Sequence, residues 1–230
     1  MTTILITGAN KGLGHEAART LIATGHDVWV AARDERRGRA AADELGARFV
    51  VLDVTDDAGV AAAAAHVEAE GGLDVLINNA GIIGPRTPVL ETSAAELAEV
   101  YDTNVLGAVR VTRAFVPLLA RSDNPVIVNV SSGLGSLAVT SDPERTESSI
   151  VALGYPSSKA ALNMITTQYA KALPEMRVNV VDPGHTATDL NGHSGPQTVA
   201  EGVEAIVAMA QIDASGPTGT FTDRHGVLAW

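Results

Sequence analysis

Short apolar runs recur along the chain at residues 3–6, 27–32, 48–52, 74–77, 125–130 and 177–181, with a last one near 218–222. They are rich in Val, Ile and Leu and too short for helices, which predicts strands covered on both faces. Between them lie Ala-rich windows with apolar residues at helical spacing, at residues 14–23, 56–69, 93–119, 155–172 and 198–210. Strands alternating with helices predict βαβ units. The expected fold class is therefore α/β, a doubly wound parallel sheet of about seven strands with helices on both faces. Residues 133–154 interrupt the pattern: they are polar and poorly periodic, and read as a loop or short helical insertion beside a pocket. Residues 189–196 are glycine-rich and read as a mobile loop. No linker or repeat divides the chain, so residues 1–230 read as one domain.

The ends of the apolar runs carry the polar residues of interest. The first run leads into Gly8-Ala9-Asn10-Lys11-Gly12-Leu13-Gly14 and then a helix. A strand, a glycine-rich turn and a helix N-terminus form a receptor for a pyrophosphate. Gly8 would permit the tight turn, Gly12 a close approach to phosphate, and Gly14 the packing of helix on strand. About 20 residues on, the second run is followed by Arg33, where an acidic residue would instead bond the ribose hydroxyls of NAD. Arg33, Arg37 and Lys11 predict a basic nest for a 2′-phosphate, hence NADP(H) in preference to NAD(H). Arg36 and Arg39 read as decoration of a solvated helix. The third run ends at Asp53-Val54, with Asp53 placed to meet an adenine amino group.

Asn78-Asn79-Ala80-Gly81 closes the fourth run, where amides can brace neighbouring turns or serve only as turn punctuation. Asn104 falls in the middle of the 93–119 helix, a poor position for Asn. Either its amide bonds a neighbouring segment and distorts the helix, or it is exposed. Ser131-Ser132 follows the fifth run, as substrate-facing hydroxyls or as turn residues. Tyr155 and Lys159 stand four apart, on one face of a helix whose first turn suits Pro156. The ammonium is expected to bring the phenol pKa down from about 10 and fit it for proton transfer.

Composition narrows the class. The chain has no Cys, which removes disulfides, thiolate metal sites and Cys nucleophiles. A net charge of −11 argues against nucleic acid as a partner. No leader pattern and no apolar run of membrane-spanning length appear, so no membrane partner and a cytoplasmic location are expected. Only three lysines occur beside 13 arginines, and Lys11 and Lys159 both fall in the motifs above. His185 and His193 lie on an irregular loop without a carboxylate read as lying at ligand spacing, so no metal is expected. Trp230 reads as a packing residue.

Taken in order, Thr7 to Gly14, Asp53, Asn78 to Gly81, Asn104, Ser132, Tyr155 with Lys159, and Pro183-Gly184 to Thr188 resemble the short-chain dehydrogenase/reductase family nearly end to end. Asn10-Lys11-Gly12, Ala32-Arg33-Asp34 and Thr188 to Gly192 resemble its NADPH-dependent carbonyl reductase branch. The resemblance implies a Rossmann fold and reduction of a ketone or aldehyde, with a small carbonyl or alcohol as substrate. It implies Tyr155 as proton donor and Lys159 as its pKa-lowering partner and ribose ligand. Ser132 would orient the carbonyl, and Asn104 would hold a water feeding Lys159. Cofactor contacts would come from Gly8, Asn10, Lys11, Gly12, Leu13, Gly14, Arg33, Arg37, Asp53 and Val54. Further along they would come from Asn79, Ala80, Gly81, Tyr155, Lys159, Pro183, Gly184, Thr186 and Thr188. A dimer, a tetramer and a monomer are all compatible with the family. The interval of 23 residues from Ser132 to Tyr155 is longer than the family's usual one, and residues 133–154 and 185–196 are the expected substrate loops. A non-catalytic NADPH-sensing protein and an epimerase or dehydratase are the alternatives.

Overall fold

The computed structural model describes residues 1–230. In chain order the elements are β1 (Thr3–Thr7), α1 (Gly12–Ala23), β2 (Asp27–Ala32), α2 (Glu35–Leu45), β3 (Arg48–Val51), α3 (Asp57–Ala69) and β4 (Val75–Asn78). There follow α4 (Ala94–Tyr101), a π-helical turn (Asp102–Leu106), α5 (Gly107–Leu119) and β5 (Val126–Val130). The remainder comprises α6 (Leu137–Ser141), α7 (Gly154–Ala172), β6 (Arg177–Val181), α8 (Val199–Gly202), α9 (Glu204–Ala210), β7 (Phe221–Asp223) and β8 (Gly226–Val227).

The sheet runs β3-β2-β1-β4-β5-β6-β7-β8, parallel except for the last pair. Alternate strand residues feed two cores. Ile4, Ile6, Val28, Val30, Ile77 and Val128 meet α1 and α9 on one face. Leu5, Trp29, Leu76 and Ile127 meet α3 and α5 on the other, around a fully buried Phe115. Each such large side chain contributes roughly 1.5–3 kcal/mol by leaving water. The double burial explains why β4 and β5 are apolar except for Asn78 and Asn129, which pair with each other in the interior, Asn78 Nδ2 donating to Asn129 Oδ1 at 2.8 Å.

Three expectations need correction. The sheet has eight strands, because Asp223 Oδ1 accepts from His225 N (2.7 Å) and Gly226 N (3.0 Å) and folds the chain into a β7–β8 hairpin beyond 218–222. The 198–210 helix breaks at Val203, where α8 is pressed onto Thr186 so closely that a Cβ on Gly202 would collide with it. The long 93–119 helix is divided by the π-helical turn around Asn104. Trp230 packs, stacking on Phe221 with centroids 5.5 Å apart, and its carbonyl accepts from Ala138 N at 3.1 Å. No helix is long and apolar enough to cross a membrane.

Candidate active site

Strand order reverses between β1 and β4, the position at which sheets of this kind form a crevice beyond the carboxyl ends of the strands. Thr7 ties the two loops together there: its Oγ1 accepts from Asn79 N and Ala80 N, both at 3.0 Å, and its carbonyl accepts from Asn79 Nδ2 at 2.8 Å. The amide bracing expected at Asn79 is therefore present. Gly8 (φ 64°) and Gly12 (φ 59°) occupy left-handed backbone that a side chain would strain. Gly14 is packed so tightly that a Cβ would lie 2.6 Å from Asn79 Nδ2 and 2.9 Å from Ala9 Cα. A Cβ on Gly12 would meet nothing nearer than Thr188 at 3.9 Å, so the start of α1 offers bare backbone to a ligand. That cradle fits a dinucleotide pyrophosphate.

Beside the loop, a cleft of about 390 Å³ is lined by Lys11, His15, Arg36, Arg37 and Asp189 among others. Lys11 and Arg37 of the expected basic nest are thus brought together. Arg36, read as a solvated bystander, lines the cleft with Arg37, while Arg33 does not. The Asp34 side chain accepts from Arg37 N at 2.9 Å and so sets the phase in which α2 begins. Lys11 Nζ pairs with Asp189 Oδ2 at 3.0 Å, joining the glycine loop to the segment after β6. Asp53 is committed on one side, with Oδ1 accepting from Thr55 N (2.9 Å) and Thr55 Oγ1 (2.7 Å), so only its other oxygen can serve a ligand. Val54 is buried, and a Cβ on Gly107 would lie 2.8 Å from its Cγ2.

Across the crevice, Asn104 is 1% exposed and turned inward, which decides between its two readings. Its Oδ1 accepts from Ile82 N (2.8 Å), and its Nδ2 donates to Ile82 O (2.9 Å) and Ser158 Oγ (3.0 Å). Turning the amide toward the chain after β4 accounts for the π-helical turn, a local widening common where a side chain leaves the helical ladder. Ser158 Oγ donates onward to Tyr155 O at 2.7 Å. Lys159, 4% exposed, donates from Nζ to Val130 O at 2.8 Å, and Nζ stands 5.5 Å from the Tyr155 ring centroid. Ser132 is the residue pair's neighbour at the end of β5, with Oγ accepting from Leu134 N at 3.2 Å. A Cβ on Gly81 would lie 3.3 Å from Asn104 Oδ1 and 3.6 Å from Lys159 Nζ, so the chain after β4 passes close to both side chains.

The family model for short chain dehydrogenases matches residues 2–198. The chain belongs to that family. Among its relatives, (+)-neomenthol dehydrogenase of Arabidopsis thaliana is 34% identical, over 97% of this chain and 96% of its own. (−)-Isopiperitenone reductase of Mentha piperita is 32% identical over 98% of this chain and 97% of its own. Among solved structures, NADPH-bound carbonyl reductase from chicken fatty liver superposes with a TM-score of 0.87 at 30% identity, covering 100% of this chain and 99% of its own.

The dehydrogenase's electrostatics correct one further expectation. Burial pushes the Tyr155 phenol up, the Asp182 carboxylate pushes it further, and the Ser132 hydroxyl alone pulls it down. The Lys159 ammonium, whose Nζ is directed to the Val130 carbonyl and stands 5.5 Å from the phenol ring centroid, does not outweigh that burial. Burial brings Lys159 itself down to about 8, against the pull of Asp182. At Asp53, burial acts to raise the pKa, but the two Thr55 hydrogen bonds and Arg33 outweigh it and hold the carboxyl below its usual range.

Two buried residues escaped the sequence reading. Asn163 accepts from Ser131 Oγ (2.6 Å) and donates to Gly135 O (3.1 Å), clamping the backbone on both sides of Ser132. Its signal is an amide one turn beyond Lys159, at the same helical spacing as Tyr155 and Lys159. Asp182 directly precedes Pro183 at the end of a buried strand, a place where an acid is exceptional. Thr186 and Thr188 are buried, with Thr186 Oγ1 donating to Pro183 O at 3.0 Å. His193 does have a carboxylate in reach, contrary to the sequence reading: Asp189 Oδ1 lies 2.9 Å from its Nε2.

Proposed function

We propose that this short-chain dehydrogenase reduces a ketone or aldehyde to an alcohol with NADPH, reversibly, Tyr155 being the proton donor. The observation that carries the reading is the convergence of Ser132, Tyr155 and Lys159 at the carboxyl end of β5, across the crevice from a glycine cradle. Bound nicotinamide would supply or accept the hydride. The protein's share is position and charge.

In this reading Ser132 hydrogen-bonds the substrate oxygen and holds it against the Tyr155 hydroxyl. A phenol with a raised pKa keeps its proton until the oxygen it faces has gained negative charge, which suits a donor in reduction. Lys159 holds the cofactor ribose and lends positive charge beside Tyr155, while Asn104 fixes the chain at Ile82 and supports a water-fed proton path to Lys159. Gly8, Asn10, Gly12, Leu13 and Gly14 cradle the pyrophosphate; Lys11, Arg36 and Arg37 receive a 2′-phosphate, with Arg33 beside Asp53 nearer the adenine. Val54, Asn79, Ala80 and Gly81 wall the nucleoside, and Pro183, Gly184, Thr186 and Thr188 hold the nicotinamide end. Residues 133–154 and 185–196 form the substrate side. The solved NADPH complex of the chicken reductase supports the preference for NADPH.

A panel of ketones and aldehydes, assayed by loss of reduced-cofactor absorbance with NADPH and NADH, tests this. Turnover is expected with NADPH, and Tyr155→Phe is expected to lower kcat/KM by about 10²–10⁴-fold. Turnover that survives Tyr155→Phe would overturn the assignment. Product formed without consumption of cofactor would point to an epimerase or dehydratase.

A further inference from the structure

Asp182 is a buried acid for which the mechanism above has no use. It follows β6 directly, is 4% exposed, and donates its N–H to Thr222 O at 2.8 Å. One carboxylate oxygen accepts from Gly184 N at 2.9 Å. The other is turned toward Gly133, where a Cβ would lie 3.0 Å from it and 2.9 Å from Glu147 Oε1. Gly133 is the residue after Ser132, so the carboxylate stands immediately behind the serine.

The charged neighbours can be named element by element. From α7 come Tyr155 and Lys159, both of which feel Asp182. From the turn at Thr146–Ser149 comes Glu147, and just before it Arg145; from β7 comes Asp223. Arg145 feels Glu147, Asp223 and Asp182 together; its Nη2 pairs with Glu147 Oε1 at 3.3 Å, and no ion pair within contact distance neutralises Asp182.

We propose that Asp182 is a positioning residue acting through charge: its carboxylate, fixed behind Ser132, keeps Tyr155 protonated and Lys159 cationic to higher pH, and so biases the site toward reduction. This rests on the reading of Tyr155 as proton donor. A negative charge nearby disfavours a phenolate and favours an ammonium, and water-poor surroundings magnify both effects. Burial raises the Asp182 pKa, the Gly184 and Gly133 N–H groups lower it, and Glu147 and Asp223 raise it. Both carboxylate oxygens face backbone N–H groups, at Gly184 and at Gly133, and donors of that kind favour the ionised form. Removing that charge lowers the pKa of Tyr155 and of Lys159 together, and both changes move the alkaline limb of reduction the same way.

The test is the pH profile of kcat/KM for NADPH-dependent reduction by Asp182→Asn, which keeps an oxygen for the Gly184 N–H. The alkaline limb is expected to fall about one pH unit lower than in the wild type, a tenfold loss relative to the plateau on that side. Asp182→Ser, smaller and still able to accept from Gly184, carries the same expectation should the Asn variant fail to fold. A rate lowered by one factor at every pH, with the limb unmoved, would show a merely structural role and overturn the proposal. Tyr155→Phe run alongside separates the two failures: turnover surviving in that variant overturns the donor assignment, whereas its loss beside an unmoved Asp182→Asn limb overturns only the role of Asp182.

Discussion

Lys159 is a cation that folding takes out of water, with a single backbone carbonyl as its hydrogen-bond acceptor. Its pKa of about 8 in the folded chain lies below the 10.5 of free lysine. Between those values the unfolded chain holds a proton that the folded chain has released, so stability rises with pH across that window and is penalised below it. The shift corresponds to a penalty of up to about 3 kcal/mol at neutral pH. Lys159→Met removes the charge but leaves Val130 O without its donor, an offset of about 1 kcal/mol. The variant is expected to be about 2 kcal/mol more stable at pH 7, with a Tm about 4–8 °C higher. Its advantage in urea denaturation should shrink as the pH approaches about 10. Reductase activity should fall at least about 100-fold. A variant that is both less stable and indifferent to pH would show that Lys159 is held without a burial penalty.

At the scale of elements, the π-helical turn is organised by one side chain. Asn104→Leu would favour a regular helix by propensity, yet it strands Ile82 N–H and C=O and removes a donor from Ser158 Oγ. The expected cost is about 2–4 kcal/mol, read as a lower urea midpoint with an unchanged slope. Asn104→Asp keeps an acceptor for Ile82 N but loses the donor, and should fall between the two. What could be seen in the sequence follows the same logic. β4 and β5 are legible because burial on both faces leaves only one Asn in each among apolar residues, and the glycine loop because Gly8 and Gly12 need left-handed backbone. Asn104 is not, since one amide in a helical window fits an exposed or an inward position equally well. Arg36 is solvent-exposed on α2 as the sequence suggests, and that it also borders the cleft depends on the phase Asp34 sets by capping the helix, since one residue of shift rotates a helix by about 100°. The β7–β8 hairpin was invisible as a strand pair because it is held by an Asp turn and not by an apolar run. Asp182 is illegible because an acid before Pro183 at a strand end fits an exposed turn as well as a buried one, and only the packed fold shows it at 4% exposure.

The whole molecule carries a net charge of −11, so a phosphate-bearing ligand approaches against the long-range field and must be held by local charge. That charge is gathered in one cleft. Lys11 is partly neutralised by Asp189 at 3.0 Å and Arg37 lies 3.5 Å from Asp34, whereas Arg36 has no acidic partner within ion-pair distance. A phosphate in the cleft would therefore recruit Arg36 without breaking a competing pair, and Arg37 at small cost. Charge-assisted hydrogen bonds are worth about 1.5–3 kcal/mol each. The double variant Arg36→Ala/Arg37→Ala is accordingly expected to weaken NADPH binding by at least about 10–100-fold and to leave NADH binding nearly unchanged. Thermal shift reads this directly, because a ligand that binds only the folded chain raises Tm with the logarithm of its concentration over Kd. Raising salt from about 0.05 to 0.5 M should erode the NADPH shift more than the NADH shift in the wild type, and should erode both alike in the variant. Equal losses for the two cofactors would mean that the arginines shape the fold around the adenosine and do not read its phosphate.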